Sequence, residues 1–313
     1  GRSAGALAAE WRAMIDSIQL PSGDPEKVRE RFRRGGIFQR PCPHAIADKR
    51  GRAARLVGRG RVAEALELLR SICDDAPDEP TYRIDLAELL VRGERPAEAI
   101  SIYRALADDA EAVSTSLRAD AHVALAGLAM RAGDKAGVKR ALDDAAALQV
   151  DDEQARQIAA QRFAAAHAGP AGDALRAYFW PPDATIGVDP LAQLGRAAAA
   201  VAAEPSLGLG HYLVGRNLSD RGAFAESARA LAHALELGLP SPLLSRECAS
   251  LLAAEAYRAG DLAAVERAAA ILTAADQPVV TQLYGYDFLE RVHWKRTGRV
   301  TDAPLGPLAT PPG

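Results

Sequence analysis

The chain has 313 residues, of which 49% are hydrophobic and 5% aromatic, and its formal net charge is −3. It is long enough for two ordinary domains or one long repeat array, and its hydrophobic content is ample for a core. Its three cysteines are widely spaced and form no CxxC pair, which excludes a disulfide framework and favours a reducing compartment.

Alanine supplies roughly a fifth of the chain, and β-branched residues are sparse. Because alanine is the strongest helix former and lets helices approach closely, this composition predicts an all-α fold. Arginine greatly outnumbers lysine, which we interpret as the coding bias of a GC-rich, bacterial genome. No apolar run reaches the roughly 18 residues that a membrane-spanning helix needs, and no signal peptide is visible.

Residues 1–45 are predicted to form a helical N-terminal extension. Apolar residues recur at helical spacing over residues 3–19, which predicts a first helix there. Asp24 and Pro25 suit the start of a second helix. Since the chain begins with Gly rather than Met, we expect this extension to be either a cap on the following array or the tail of a larger protein.

One helix–turn–helix unit occurs twice, in register, over residues 47–111. Four pairs of similar residues lie 34 positions apart: Ala53 and Ala87, Leu56 and Leu90, Ala65 and Ala99, and Leu69 and Tyr103. The small residues recur where two helices must cross closely, and the large ones where the space between helices must be filled. This period and pattern resemble the tetratricopeptide repeat (TPR) family. The resemblance implies a right-handed α-solenoid of TPR-like helix-turn-helix repeats whose activity is binding.

Further helices are predicted down the chain, separated by glycine and proline turns. They span residues 117–132, 135–148, 152–168, 190–203, 208–239 (a pair), 243–258 and 262–275. The pair over 208–239 matches the repeat pattern position by position, whereas a fourth pair, made of the helix over 152–168 and a partner helix that carries Ala174 and Tyr178, matches it weakly. We expect an array of about five or six helix pairs over residues 46–278, a capping helix over 279–297 and a disordered tail over 298–313.

In this family the first helix of each pair lines a concave groove that holds a partner. The resemblance places eight residues of this chain in such a groove: Glu88, Arg92, Met130, Arg131, Tyr212, Arg216, Tyr257 and Arg258. We expect Tyr212 and Tyr257 to act as flat hydrophobic anchors and the arginines to supply charge and orientation. Three of the arginines end their helices at equivalent positions. Either they form a line that pairs with acidic groups, or they only complement the helix macrodipoles.

The charge is distributed unevenly along the chain. Residues 26–61 hold twelve Lys/Arg and three Asp/Glu, a balance of +9, which leaves the rest of the chain acidic. Such a basic arm could meet nucleic acid, anionic lipid or an acidic partner, or it could be a solvated face. Nucleic acid is the weaker alternative, because only Phe32 and Phe38 are available for stacking and no binding motif is present.

No residue pattern in the chain points to catalysis, a metal or a cofactor. Cys42 and His44 lack the second pair that a zinc site needs. GxSxG, HExxH and P-loop motifs are absent. His122 and His211 stand at the same position of their repeats, where a packed or capping role is expected. We therefore expect a chain that is not an enzyme and binds no cofactor.

The sequence thus predicts a cytoplasmic scaffold or adaptor that binds a protein or peptide in the groove of a TPR-like solenoid. The Lys/Asn clamp with which some family members hold a chaperone's C-terminal peptide is not reproduced, since Arg50 and Ala54 stand at its early positions. The alternative is a regulatory or substrate-presenting portion of a larger bacterial enzyme, with a membrane anchor upstream of residue 1. In that case the basic arm would lie next to the membrane.

Overall fold

A computed structural model describes residues 11–12, 42–181 and 189–300 of the chain. The alanine-rich segments form fourteen α-helices within residues 42–181 and 189–300. The first seven are α1 (Pro43–Gly58), α2 (Val62–Asp75), α3 (Pro80–Arg92), α4 (Pro96–Asp108), α5 (Thr115–Arg131), α6 (Lys135–Ala147) and α7 (Asp152–Ala166). The others are α8 (Gly169–Phe179), α9 (Pro190–Ala203), α10 (Gly208–Ser219), α11 (Phe224–Leu237), α12 (Pro242–Ala259), α13 (Leu262–Leu272) and α14 (Val279–Thr297). The all-α prediction is confirmed.

The predicted helix boundaries agree with these to within a few residues. One difference is α1, which begins at Pro43 and so includes the last three residues of the predicted N-terminal extension. Proline at the first helical position loses no hydrogen bond, so it starts this helix rather than preventing it. Nearly all of the predicted N-terminal extension, and the predicted tail from residue 301 on, lie outside the described residues. Among the helices that are described, none is long and apolar enough to cross a membrane.

Five helix pairs share one turn geometry. At each turn, a residue with positive φ donates its N–H to the carbonyl three residues before it. The residue after it donates its own N–H to the carbonyl five residues before itself. This is the Schellman arrangement, which satisfies the last carbonyls of the first helix. The positive-φ residues are Gly60, Glu94, Gly133, Gly222 and Gly260. The turn therefore marks five copies of one unit: α1–α2, α3–α4, α5–α6, α10–α11 and α12–α13.

The same register is visible in the packing of these five pairs. Seven residues before the turn, each first helix buries a small residue: Ala53, Ala87, Ala126, Gly215 and Ala253. Five residues after the turn, each second helix also buries a small or β-branched residue: Ala65, Ala99, Val138, Ser227 and Val265. Small residues at both positions let the two helices of a pair cross closely. At Gly215 the fit is tight, because a Cβ there would lie 2.7 Å from the Leu231 side chain.

The chain divides into two compact units, with the division between Tyr82 and Arg83. The first unit contains α1 and α2, which pack against each other. In the second unit, consecutive helices pack from α4 to α14. Three helices, α7, α8 and α9, stand between the third and fourth regular pairs and lack the shared turn. The fold is a helical repeat solenoid with this irregular segment inside it.

Helices α7 and α12 contact each other although they are far apart in sequence. Two ion pairs join them: Arg156 with Glu247, and Arg246 with Asp152, at 3.0 Å between Nη1 and Oδ2. The Arg156 and Glu247 side chains are 23% and 19% exposed, so their pair is partly shielded from water. We call these two ion pairs the α7–α12 clasp. It encloses space that a simple row of helix pairs would leave open.

Candidate functional site

The eight residues predicted for the groove fall into three separate environments. The first contains Glu88 and Arg92 on α3 with Met130 and Arg131 on α5, which we call the arginine surface. Glu88, Arg92 and Arg131 are exposed, and Met130 is half-buried against the core. Within the described residues, neither Arg92 nor Arg131 makes an ion pair or donates to a backbone carbonyl. The two guanidinium groups therefore remain available.

The pKa values of Glu88 and Tyr103 respond to charges of this surface. Although the Glu88 side chain is exposed, partial desolvation of its carboxyl raises its pKa above its usual range; Arg92 opposes this shift and Asp85 adds to it. Burial raises the pKa of the Tyr103 hydroxyl on α4, with Glu88 adding to the shift and Arg131 opposing it. Tyr103 thus lies within electrostatic range of Glu88 on α3 and of Arg131 on α5.

The second environment is a cavity of about 430 Å³ among α7, α8, α9, α10 and α12. Tyr212 and Arg216 both line it. We expected Tyr212 to act as a flat hydrophobic anchor, but it is only 1% exposed, so its ring offers no open surface to a partner protein. Glu247 and Arg156 of the α7–α12 clasp line the same cavity. Burial works to lower the pKa of Arg216, but Tyr212 and Glu247 together raise it.

Sequence reasoning missed several polar residues of this cavity. Asn217 donates through Nδ2 to the Tyr178 hydroxyl at 3.0 Å and to the Leu213 carbonyl at 2.7 Å. Gln193 on α9 and Glu247 on α12 also line the space. The available signal was the repeat register. Five residues before the turn, α3 and α5 have leucine, whereas α10 has Asn217, which is buried.

The third environment, around Tyr257 and Arg258, is already occupied by the chain itself. Phe288 of α14 packs edge-on against Tyr257, with ring centroids 6.1 Å apart, and Arg291 lies over the Tyr257 ring at 5.9 Å. Arg258 pairs with the buried Glu255 at 2.5 Å. The prediction that Tyr257 is a free flat anchor is therefore corrected, because the terminal helix covers it. Because the Arg258 guanidinium is already paired with a buried carboxylate, it is a poor partner for a second carboxylate.

A further cavity of about 470 Å³ lies among α4, α5 and α6. His122 lines it, and burial lowers the pKa of this imidazole below its usual range. Asp144 and Asp108 oppose the shift, and Arg118 adds to it. His211, at the equivalent position of α10, donates through Nε2 to the Pro205 carbonyl in the preceding turn, at 2.9 Å. The two register-equivalent histidines thus have different surroundings.

The described part of the basic arm is partly neutralised within its own unit. Lys49 on α1 pairs with Asp75 on α2 and donates to the Ser71 hydroxyl at 3.0 Å. Arg61 pairs with Glu64 at 2.5 Å, and Arg50 lies over the Tyr82 ring at 5.4 Å. The residues of the arm before position 42 lie outside the described part of the chain. Across the described ranges, no group of three or more His, Cys, Asp or Glu side chains could hold a metal ion.

A family model described as tetratricopeptide repeat matches residues 56–119. Over these residues the chain is similar to the tetratricopeptide repeat family. The match runs from the end of α1 to the first turn of α5, and the repeat turns at Gly133, Gly222 and Gly260 continue the same geometry beyond it. A comparison of the sequence with curated proteins found no match.

Solved structures with some likeness to this repeat chain include two TPR domains. The TPR2AB-domain:pHSP90 complex of yeast Sti1 is 11% identical, with a TM-score of 0.34, over 82% of this chain and 96% of that one. The P58(IPK) TPR domain is 15% identical, with a TM-score of 0.30, over 82% of this chain and 69% of that one.

Proposed function

We propose that the chain is a protein-interaction scaffold that binds an acidic segment of a partner at the arginine surface. The observation that carries this proposal is that Arg92 and Arg131 occupy the same register position in successive repeats and are exposed without an ion pair among the described residues. The third arginine at this register position, Arg258, pairs instead with the buried Glu255 of its own helix. The guanidinium group binds carboxylates with two parallel hydrogen bonds, which gives both affinity and orientation.

The remaining residues of the surface fit the same role. Met130 is half-buried beside Arg131, and its flexible thioether side chain adapts to different apolar contacts. Glu88 lies beside Arg92, where its charge disfavours a partner with a second carboxylate at that point. The partner segment would therefore combine acidic residues with an apolar residue.

The test is selection from a displayed library of random peptides by the full chain. We expect the selected peptides to be rich in Asp and Glu, and we expect an Arg92→Glu/Arg131→Glu variant to lose them. Replacing both cations by anions should weaken binding by about 100-fold or more, because attraction becomes repulsion at two contacts.

The matched control is Arg104→Glu/Arg140→Glu, which makes the same change of charge on α4 and α6, the second helices of the same repeats. Both arginines are exposed. If the control loses the peptides as completely as the first variant, the effect is one of net charge and the arginine surface is not the site. Selection of peptides without acidic residues would also contradict the proposal.

A further inference from the structure

The cavity among α7, α8, α9, α10 and α12 contains buried polar groups without partners. The Tyr212 hydroxyl lies beside Arg216 and Glu247, yet it meets the geometry of a hydrogen bond to neither. The side-chain carbonyl oxygen of Gln193 is also buried without a partner. Leaving such a group unpaired costs about 1–3 kcal/mol. Buried polar groups in folded proteins nearly always have a partner, so these two groups are candidates for pairing with a ligand.

The charged side chains of the cavity are also incompletely paired. Glu247 is the ion-pair partner of Arg156, and its charge also raises the pKa of Arg216. One carboxylate therefore serves two guanidinium groups. Glu153 and Asp220 also line the cavity, and within the described residues neither forms an ion pair or a side-chain hydrogen bond. The lining thus offers one cation, Arg216, that shares its carboxylate with Arg156, and two exposed anions, Glu153 and Asp220, without a partner among the described residues.

A ligand with both charges would complete this set. Its carboxylate would accept from the Arg216 guanidinium and the Tyr212 hydroxyl, which are both donors. Its ammonium group would donate to the Gln193 oxygen and to Glu153 or Asp220. The volume of about 430 Å³ lies within the range of about 300–1,000 Å³ that is usual for small-molecule sites. Tyr178 and Phe179, whose ring centroids are 5.1 Å apart, give part of the wall an aromatic surface.

We propose that this cavity binds a small zwitterionic ligand of the amino-acid or short-peptide class. The carboxylate lies at Arg216 and Tyr212, and the ammonium lies at Gln193 and the unpaired carboxylates. This site goes beyond the scaffold function and is independent of it, because the arginine surface lies on α3 and α5 and contributes no residue to the cavity.

The test is isothermal titration calorimetry of the full chain with unmodified dipeptides that carry small, aliphatic or aromatic side chains. We expect at least one of them to bind. The best dipeptide is then compared with its N-acetylated and its C-amidated forms. Blocking either end should weaken binding by about tenfold or more, because each removes a charge-assisted hydrogen bond.

Two variants place the ligand in the cavity. Tyr212→Phe removes only the hydroxyl and keeps the buried ring, and Arg216→Gln removes the cation. Each variant should weaken binding of the dipeptide by about tenfold. Tyr212→Phe without ligand should unfold at the same temperature as the parent chain or a higher one, since it removes an unpaired buried group. This measurement separates a lost contact from a damaged fold. Arg131→Gln, on the arginine surface, is the control and should bind the dipeptide normally.

Three results would overturn the proposal. One is that no dipeptide binds the parent chain at millimolar concentration. Another is that Tyr212→Phe and Arg216→Gln bind as well as the parent chain, which would place the ligand elsewhere. The third is that a blocked dipeptide binds as well as the free one, which would leave a site for one charge only. Loss of peptide binding at the arginine surface has no effect on these outcomes, so the two proposals fail separately.

Discussion

Glu94 occupies a backbone position that four other repeats fill with glycine. Its φ is 58°, and the equivalent residues are Gly60, Gly133, Gly222 and Gly260. A residue with a Cβ pays about 1–2 kcal/mol in the left-handed region, because the Cβ approaches the following carbonyl oxygen. The turn forms nevertheless, since its hydrogen bonds to Val91 and Leu90 are the same as in the other repeats. The neighbouring structure therefore imposes this conformation on Glu94.

We expect Glu94→Gly to stabilise the chain by about 0.5–1 kcal/mol. Glycine removes the left-handed penalty, but part of this gain is offset because glycine loses more conformational entropy on folding. Urea unfolding measures the change. Glu94→Ala is the matched control, because it removes the carboxylate but keeps a Cβ at the same φ, and it should bring no gain. Equal stabilisation by alanine and glycine would assign the effect to charge instead of backbone conformation.

At the scale of one element, α5 carries an imidazole whose protonation opposes folding. His122 is half-buried where α5 meets α4 and α6, and burial lowers its pKa below the usual 6.5. The unfolded chain therefore takes up this proton at a higher pH than the folded chain does. The stability that depends on neutral His122 is complete above about pH 7 and is lost as the pH falls through 6.5 and below.

Replacing His122 by glutamine, which stays neutral, should make stability less dependent on pH in this window. We expect the stability of the parent chain to fall more than that of His122→Gln between pH 7.5 and pH 5, as measured by urea unfolding at each pH. His44 is exposed and His44→Gln serves as the control, which should follow the parent chain. An identical pH dependence for the parent chain and His122→Gln would contradict the assigned direction.

At the scale of the whole molecule, the α7–α12 clasp joins positions that are 94 residues apart in the case of Asp152 and Arg246. It covers Tyr212 and closes the side of the cavity that Glu247 and Arg156 line. Exposed ion pairs contribute little to stability, but removing one partner of a shielded pair leaves an uncompensated charge. The clasp is therefore expected to affect stability more than the surface pairs do.

Reversing one charge of the clasp should destabilise the chain by about 2 kcal/mol, and reversing both should restore part of this. The variants are Arg156→Glu, Glu247→Arg and the double variant, compared by urea unfolding as a double-mutant cycle. Restoration is expected to be partial, because Arg216 also faces Glu247. The same cycle on the exposed Arg229 and Glu226, which are 3.7 Å apart, is the control and should give below about 0.5 kcal/mol. Additive single effects in the clasp would show that the pair makes no contribution.

The sequence by itself determined the features that depend on local interactions. The helices follow from alanine content, and the turns follow from glycine and from the capping pattern, as at Gly133 and Gly260. The repeat register places Ala87 and Ala99 in the core, because a period of 34 residues returns each position to the same face. It also identifies Arg92 and Arg131 as equivalent. Each of these features depends on interactions within a helix pair or on the period of the repeat.

Only the tertiary structure decided which of the equivalent positions remain free. Tyr212 is buried, and Phe288 of α14 packs against Tyr257. None of this follows from the repeat register, which assigns the same face to every copy. The contact of α7 with α12 joins helices that are separated in the chain by four others. A pattern that repeats within single helix pairs carries no information about contacts between distant helices. The cavity therefore became visible only in the folded chain.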